Sequence, residues 1–262
     1  MPLILAQITD THLLADPTAE LRGCNPWQSF QAVLREVVRC RPDGLLLTGD
    51  LADQGDRTAY EQLRDAISPI NRPIYWVPGN HDDGAIAQTI LQGPQCYGPH
   101  SQGLQSIDLG TWRLLLLNSV LPRARFGEGV LTPDTLRSLK SELTRHRHQP
   151  TALALHHHPV PTGIDWLDQM QVQNAATFLN LLEDCHQVRL VLFGHIHLDF
   201  QRRLRYGNGG ITCYGCPSTA LQVIPQAAAP DSHLPGFRLI SLYPDGRHHT
   251  QVRRIMPAMG GQ

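Results

Sequence analysis

The chain has 262 residues, 41% of them hydrophobic, a size and composition that suit a large α/β or sandwich fold with a sizeable core. Its formal net charge is −1, so no strongly basic field indicates a nucleic-acid or anionic-membrane partner. The chain contains 14 histidines, and imidazole is the commonest metal ligand in proteins, so their positions need an explanation.

The N-terminal residues 1–6 are apolar, lack a basic segment and lead into a polar turn, which is typical of a first strand rather than a signal peptide. No apolar run approaches the ~20 residues that a membrane helix needs. We therefore expect a soluble, cytoplasmic protein with reduced thiols. The six cysteines have no repeated spacing, and we expect Cys213 and Cys216, the single C-x-x-C pair, to be small buried residues near a strand end.

Strand and helix patterns alternate through the first part of the chain. Three apolar runs predict strands, at residues 3–8, 44–48 and 73–77. Between the first two, Asn25 and Pro26 are typical of a helix start, and apolar residues at helical spacing follow them. A second helix, with Tyr60, Leu63 and Ile67 on one face, precedes the third strand.

The middle and the tail of the chain add hairpins to this alternation. Residues 104–109 and 112–117, joined by Gly110-Thr111, predict a β-hairpin. Thr132-Pro133 begins a further helix. The next predicted elements are a strand at 151–155, a helix at 174–186 and a strand at 188–193. The tail predicts strands with turns at residues 207–210 and 244–246.

Because crossovers and hairpins are both present, we expect an α/β fold with four layers, α-β-β-α, in which two mixed sheets pack together between helices. No linker, internal repeat or low-complexity block divides the chain. We therefore expect a single domain over residues 1–262, with an ordered core at residues 3–255.

Five of the predicted strands end in residues that can bind metal. These groups are Asp10-Thr11-His12, Gly49-Asp50, Gly79-Asn80-His81-Asp82, His156-His157-His158 and Gly194-His195-Ile196-His197. The carboxyl ends of strands in α/β sheets converge on one crevice, so these groups should become neighbours there. Extended backbone would place Asp10 and His12, and likewise His195 and His197, on one side. The glycines that precede three of the groups permit turns and close backbone approach.

Each group has an ordinary explanation when it is taken alone. An Asp at a strand end usually satisfies a turn amide, and adjacent histidines are often surface residues. The five groups occur in order, however, and each follows an apolar run. Together they indicate a shared metal site.

The ordered pattern D-x-H, G-D, G-N-H-D, H and G-H-x-H resembles the calcineurin-like metallophosphoesterase superfamily. The stretches GNHD, HHHPVPTGIDWLDQ and LFGHIH are similar to the bacterial class III 3′,5′-cyclic-AMP phosphodiesterases, the CpdA or Icc type. The resemblance covers nearly the whole chain, from residue 3 to residue 255.

The resemblance implies two metal ions. The first would be held by Asp10, His12, Asp50 and His197. The second would be held by Asp50, Asn80, His156 and His195, so that Asp50 bridges the two ions. His81 would be the catalytic residue beside the phosphate, stabilising charge and protonating the departing ribose oxygen, or else it would only orient a ligand. The substrate would contact His12, Asp50, Asn80, His81 and His197. Asp53 and Asp82 are expected to accept hydrogen bonds from ligand imidazoles.

The chemistry of such a donor set is consistent with phosphate-ester hydrolysis. Two ions about 3.5–4 Å apart can clamp the attacking and leaving oxygens, and a hydroxide that bridges them would be the nucleophile. Oxygen and nitrogen ligands without thiolate favour manganese, iron or zinc. The resemblance suggests an iron–manganese or a dimanganese pair.

The resemblance implies hydrolysis of 3′,5′-cyclic AMP to 5′-AMP, with a small cyclic nucleotide as the partner and no nucleic acid. The alternatives are broader phosphodiesterase or phosphomonoesterase activity on 2′,3′-cyclic nucleotides, glycerophosphodiesters or nucleotide-sugar lipids. A metal-free interaction scaffold should have lost ligands, whereas all seven are present. The oligomeric state stays open, a homodimer being one option. Arg123 and Arg125 could contact phosphate and Trp166 could stack on a base, or these three residues could be solvated or packing residues.

Overall fold

The computed structural model describes residues 1–100, 103–206, 209–224 and 229–256. The strands in these residues are β1 Leu3–Ile8, β2 Gly44–Thr48, β3 Ile74–Val77, β4 Cys96–Tyr97, β5 Leu104–Leu109, β6 Trp112–Leu117, β7 Thr151–Ala154, β8 Val188–Phe193, β9 Phe200–Tyr206, β10 Gly209–Gly215, β11 Gly236–Leu242 and β12 His248–Arg254. The helices are α1 Pro26–Cys40, α2 Arg57–Ile67, α3 Gly84–Ile90, α4 Pro133–Arg145, α5 Asp165–Asp168 and α6 Ala175–Glu183, with a 3₁₀ turn at Ser68–Ile70.

The strands form two mixed sheets. The first has the order β12-β11-β1-β2-β3-β4, in which β1 to β4 are parallel and the hairpin β11–β12 joins β1 antiparallel. The second has the order β5-β6-β7-β8-β10-β9, in which β6, β7, β8 and β10 are parallel. Antiparallel partners close both of its edges. The mixture arises because helical crossovers and short turns alternate in the chain, as the sequence predicted.

Three apolar clusters hold the layers together. The first sheet packs its outer face against α1, α2 and α3, where Phe30, Tyr60 and Trp76 are buried. The second sheet packs its outer face against the helices α4 and α6. Between the sheets lies a third cluster, to which Leu46 of β2 and Leu114 of β6 contribute. This arrangement confirms the predicted α-β-β-α order of layers.

The local signals for helix starts act as predicted. The Asn25 side chain accepts a hydrogen bond from the Gln28 N–H at 2.8 Å, which satisfies one free donor at the start of α1. The Thr132 hydroxyl accepts one from the Thr135 N–H at 3.1 Å at the start of α4. Cys213 lies in β10 and Cys216 just beyond it, both buried, and all six cysteines are free thiols.

Most predicted boundaries agree within a residue, and the differences occur in short elements. The helix predicted at 174–186 ends at Glu183, because the chain turns there to enter β8, with the Val188 N–H donating to the Cys185 carbonyl. The short elements α3, β4 and α5 carry too few residues for a periodic pattern, and we predicted none of them. The turn at 244–246 is present, whereas residues 207 and 208 of the other predicted turn lie outside the described residues. Among the described helices, none combines the length and apolarity required to cross a bilayer.

Candidate metal centre

The ends of five strands, three from the first sheet and two from the second, meet at one point. Asp10 follows β1 and Asp50 follows β2 in the first sheet, whereas His156 follows β7 and His195 follows β8 in the second. Asn80 and His81 follow β3, and His12 and His197 lie two residues beyond Asp10 and His195. The structure brings all seven predicted ligands together. The six Asp and His ligands fall into groups whose metal-capable atoms lie within 4.8 Å of one another, and Asn80 Oδ1 lies 3.2 Å from His156 Nε2.

The backbone at these strand ends is left-handed, not extended. The φ angle is 51° at Asp10, 44° at His12, 50° at Asp50, 67° at His195 and 51° at His197. Our explanation for the paired residues, side chains on one side of extended backbone, is therefore wrong. The pairs lie in turns beyond the last strand residues, and the turns aim both side chains inward. A non-glycine residue in this region costs about 1–3 kcal/mol, and such strain concentrates at functional sites.

The glycines before these groups allow close approach, as predicted. A Cβ atom on Gly79 would lie 2.1 Å from Asp50 Oδ1, and one on Gly194 would lie 2.0 Å from Thr9 Oγ1. Both distances are too short for any side chain. The packing of Asp50 and Asp10 into the site thus depends on glycine at these positions.

One half of the centre consists of Asp10, His12 and His197. His197 Nε2 lies 3.2 Å from Asp10 Oδ1, and 3.4 Å from His12 Nε2. His12 Nε2 in turn lies 3.9 Å from Asp50 Oδ2. The Asp10 carboxylate also accepts the His195 N–H, at 3.1 and 3.0 Å, which ties the two sheets together.

The other half gathers around His156. Its Nε2 atom lies 3.2 Å from Asp50 Oδ2, 3.2 Å from Asn80 Oδ1 and 3.2 Å from His195 Nδ1. Asp50 Oδ1 accepts the His81 N–H at 2.9 Å, so it is Oδ2 that faces the imidazoles of both halves. A single carboxylate oxygen, Asp50 Oδ2, therefore lies between the two groups of candidate metal ligands.

Hydrogen bonds at the far side of three imidazoles fix which ring nitrogen faces the site. His156 Nδ1 donates to the Thr48 carbonyl at 2.7 Å, and His197 Nδ1 donates to the Leu221 carbonyl at 2.7 Å. His12 Nδ1 lies 3.0 Å from Asp53 Oδ1. A carbonyl can only accept, so neutral His156 and His197 present an Nε2 lone pair to the centre.

The convergence of these acceptors suits cations. Asp50 Oδ2 and Asn80 Oδ1 each lie 3.2 Å from His156 Nε2, and their lone pairs repel the lone pair of that nitrogen unless a proton or a metal ion lies among them. His195 Nε2 is buried and has no hydrogen-bond partner among the described residues, while its Nδ1 faces the cluster. The donor atoms are oxygen and nitrogen, the set that divalent manganese, iron and zinc accept. The residues present therefore fit two divalent ions.

The pKa values of Asp50 and His156 are shifted because the two buried groups favour opposite charges on each other. Burial raises the pKa of Asp50, but the charge and hydrogen bond of His156, with the charges of His12 and His81, leave it well below its usual value. Burial lowers the pKa of His156, but the charge and hydrogen bond of Asp50 and the charge of Asp10 raise it to about 9. Without metal, a proton on His156 neutralises the carboxylates, a role that a bound cation would take over.

His81 lies at the open edge of the centre, with its side chain 41% exposed. Its Nδ1 donates to the Asp53 carbonyl at 2.8 Å, and its ring meets that of His12 edge-on, at 4.9 Å between centroids. The Nδ1 bond leaves Nε2 as the nitrogen available to a ligand. Asp53 accepts from His12, as we predicted.

Asp82 plays a different part from the one predicted, since it bonds no ligand imidazole. Its carboxylate accepts the N–H groups of Leu51, Ala52 and Gly79 at 2.8–3.2 Å, and the Tyr60 hydroxyl at 2.9 Å. These donors occupy the acceptor capacity that an imidazole would need. Asp82 therefore fixes the turns that carry Asp50 and Asn80.

His157 and His158 are buried beside the centre. His157 forms a group with His156 and His195 that could hold a metal, but its Nδ1 is bonded to the Ser119 hydroxyl at 2.8 Å. It is His156, and not His157, that lies beside Asp50 and Asn80.

Two backbone carbonyls and one hydroxyl position the candidate ligands, and none of the three was predicted from the sequence. The carbonyls of Thr48 and Leu221 fix two imidazoles, and the Ser218 hydroxyl donates to the Asp10 carbonyl at 2.7 Å. Carbonyls exist at every residue, so no residue type could have indicated these two. Ser218 stands two residues after Cys216, and only the fold brings it to Asp10.

The loop after β6 borders the centre. A Cβ atom on Gly127 would lie 3.3 Å from Asn80 Nδ2, which places this loop against a predicted ligand. Arg123 and Arg125 are exposed on it, and the Arg125 guanidinium lies 4.9 Å from the centroid of the Phe126 ring. Trp166 is exposed on the short helix α5.

Comparisons with known proteins find phosphoesterases. The family model described as calcineurin-like phosphoesterase matches residues 3–199. A 3′,5′-cyclic-nucleotide phosphodiesterase from Nostoc sp. is 38% identical over an alignment of 259 residues that covers 97% of this chain and 93% of the relative. The 3′,5′-cyclic adenosine monophosphate phosphodiesterase CpdA of Pseudomonas aeruginosa is 33% identical over 257 residues, 97% of this chain and 90% of the relative.

A solved structure has a similar fold. The structure of a dimetal phosphatase from Danio rerio superposes with a TM-score of 0.72 at 16% identity, covering 97% of both chains. At that identity the similarity concerns the arrangement of sheets and helices alone.

Proposed function

The chain belongs to the calcineurin-like phosphoesterase family, and from this membership we propose that it is a dinuclear metal-dependent phosphodiesterase that hydrolyses 3′,5′-cyclic AMP to 5′-AMP. One observation carries the proposal. Asp50 Oδ2 lies between two groups of inward-facing acceptors, 3.2 Å from His156 Nε2 and 3.9 Å from His12 Nε2. A carboxylate shared in this way is what a pair of neighbouring ions requires.

The two groups divide the ligands. Asp10, His12, Asp50 and His197 would hold one ion. Asp50, Asn80, His156 and His195 would hold the other. His156 is preferred to His157 because its Nε2 lies beside Asp50 and Asn80. Manganese or iron is the proposed metal, with zinc as the third candidate, because the set contains no thiolate.

The bound ions would supply Lewis acidity toward the phosphate and hydroxide at neutral pH. The protein residues contribute order and a proton. Hydrogen bonds at Nδ1 hold the rings of His12, His156 and His197 in place before substrate arrives. The ligand side chains therefore need little reorganisation during the reaction. As an imidazolium whose Nδ1–H is held by the Asp53 carbonyl, His81 would give its Nε2 proton to the departing ribose oxygen and become neutral imidazole. Substrate phosphate would lie against His12, Asp50, Asn80, His81 and His197.

Support for the substrate comes from the two relatives named above, both cyclic-nucleotide phosphodiesterases that align with 97% of this chain. The full set of seven candidate ligands argues against a scaffold without catalytic activity. We further propose that residues 1–262 form a single catalytic domain, because both sheets contribute ligands to one centre. We also propose a cytoplasmic location, because the six cysteines are free thiols and the cytoplasm keeps thiols reduced.

A substrate panel at fixed metal content tests the proposal. The panel contains 3′,5′-cyclic AMP, a 2′,3′-cyclic nucleotide, a glycerophosphodiester, a nucleotide-sugar lipid and a phosphomonoester. We expect the highest kcat/KM for 3′,5′-cyclic AMP. If another compound in the panel has a higher kcat/KM, that compound and not cyclic AMP is the preferred substrate. If the protein hydrolyses none of the esters, the phosphodiesterase proposal is wrong.

A further inference from the structure

Phe126 is a large apolar residue that is 53% exposed. It lies in the loop between β6 and α4, at the rim of the candidate metal centre. The mechanism proposed above gives this ring no role. Single exposed apolar residues are common, so its setting must decide whether it has a function.

The loop carrying Phe126 is held in a defined shape. The buried carboxylate of Glu128 accepts the Arg125 N–H at 3.0 Å and the Phe126 N–H at 2.7 Å. The Gln173 amide donates to the same carboxylate at 3.3 Å. These bonds fix the backbone of Phe126, so its exposure is not the result of a loosely ordered loop.

The same loop touches the metal centre. At Gly127 φ is +87°, and an added Cβ would lie 3.3 Å from Asn80 Nδ2 and 3.1 Å from Met170 Cε. Only glycine combines that φ angle with so close an approach. Consecutive Cα atoms are about 3.8 Å apart, so the Phe126 Cα lies within about 9 Å of the Asn80 amide. The Phe126 side chain therefore starts from a backbone position next to the centre, close enough for the same nucleotide to contact both.

One face of the ring is already engaged. The Arg125 guanidinium lies 4.9 Å from the centroid of the Phe126 ring, a cation–π distance. This contact restricts the ring and leaves its exposed surface for a second partner. A nucleobase can stack on that surface, and stacking accepts any base because every base has a π-face.

We propose that Phe126 is a specificity-determining residue that stacks on the base of the nucleotide whose phosphate occupies the metal centre. The inference rests on the proposed function, and it adds the site for the base. It favours esters that carry a base over phosphodiesters without one. Trp166, the other exposed aromatic side chain considered for this role, lies on α5 and not on the loop that meets Asn80.

Binding of two matched phosphates to the manganese-loaded protein tests the inference. Calorimetry measures the dissociation constants of 5′-AMP and of ribose 5-phosphate, which share the sugar and the phosphomonoester and differ in the base. The proteins compared are the wild type, Phe126→Ala, Phe126→Trp and Trp166→Ala. Metal content and melting temperature are measured for each, so that misfolded protein is recognised.

Stacking contributes about 1–3 kcal/mol per base, which corresponds to roughly 5- to 150-fold in affinity. We expect Phe126→Ala to weaken 5′-AMP binding by a factor in that range and to leave ribose 5-phosphate binding unchanged. Phe126→Trp should bind 5′-AMP more tightly than ribose 5-phosphate, as the wild type does, and Trp166→Ala should retain the same preference. Equal loss for both ligands, no loss for either, or a loss of preference in Trp166→Ala alone would overturn the inference.

The wild-type protein separates this inference from the proposed function. If it hydrolyses 3′,5′-cyclic AMP and prefers 5′-AMP to ribose 5-phosphate while Phe126→Ala keeps that preference, the site of the base is wrong and the function stands. If the wild type neither hydrolyses the cyclic nucleotide nor prefers 5′-AMP, both are wrong.

Discussion

His156 Nε2 lies 3.2 Å from Asp50 Oδ2, although the two residues follow strands that belong to different sheets. The centre therefore forms only when the two sheets are packed together. Asp10 makes a second connection of this kind, since its carboxylate accepts the His195 N–H. Metal binding should consequently stabilise the packing of one sheet on the other.

Manganese should raise the melting temperature of metal-free protein. An ion that binds only the folded state at 100 times its dissociation constant adds about 2.7 kcal/mol to the free energy of unfolding. For a chain of this length that corresponds to a rise of several degrees, measured by calorimetry with and without chelator. In Asp50→Asn the same manganese concentration should give a much smaller rise. An equal rise in that variant would show that the stabilising ions bind elsewhere.

Replacement of Asp50 should affect both ions. Asp50→Asn removes the one carboxylate that faces both groups of donors, whereas His12→Ala removes a ligand of one ion. We expect metal analysis after dialysis to show loss of both ions, or loss of one and weakened binding of the other, in Asp50→Asn. His12→Ala should keep one ion. Two ions retained by Asp50→Asn with wild-type affinity would refute the bridging role.

Asp53 should act through the orientation of His12. Loss of the carboxylate that holds a ligand imidazole typically lowers metal affinity about 10- to 100-fold. Asp53→Asn should therefore need more manganese for half-maximal activity and regain most activity when manganese is in excess. Asp56→Asn is the matched control, because the Asp56 side chain caps no N–H at the start of α2. If both variants have the same manganese requirement, the hydrogen bond to His12 has no part in metal binding.

His81 separates acid catalysis from metal binding. His81→Ala should keep both ions and lower kcat for 3′,5′-cyclic AMP by about 10²–10⁴-fold, the usual contribution of a general acid. The loss should be smaller for a p-nitrophenyl phosphodiester, because nitrophenolate departs without a proton. His249→Ala, at an exposed histidine on β12, is the control. Equal losses on the two substrates would point to charge stabilisation or phosphate positioning, and loss of an ion would show that His81 is a ligand.

Much of the fold could be predicted from sequence because its signals are local. The pairing of Leu109 with Trp112 across Gly110-Thr111 forms the predicted hairpin, and Asn25 caps α1 as expected. The four-residue helix α5 and the two-residue strand β4 were missed because tertiary contacts, and not their own residues, decide such short elements.

The convergence of the candidate ligands was predicted, whereas the backbone geometry that brings them together was not. All seven proposed ligands lie together, because the carboxyl ends of strands in both sheets converge. The left-handed backbone at Asp10 and His195 was not predicted, since neither residue type requires it and the packed turns impose it. The role predicted for Asp82 was wrong for a related reason. Its partners include the backbone N–H groups of Leu51 and Ala52, and no residue type indicates which backbone groups a carboxylate will bind.

The most direct measurement is a manganese titration of metal-free protein, with conversion of 3′,5′-cyclic AMP to 5′-AMP followed by chromatography and bound metal by mass spectrometry. We expect no turnover without metal, and turnover that increases until two ions are bound per chain. Full turnover by protein shown to contain no metal would contradict a dinuclear centre built on Asp50.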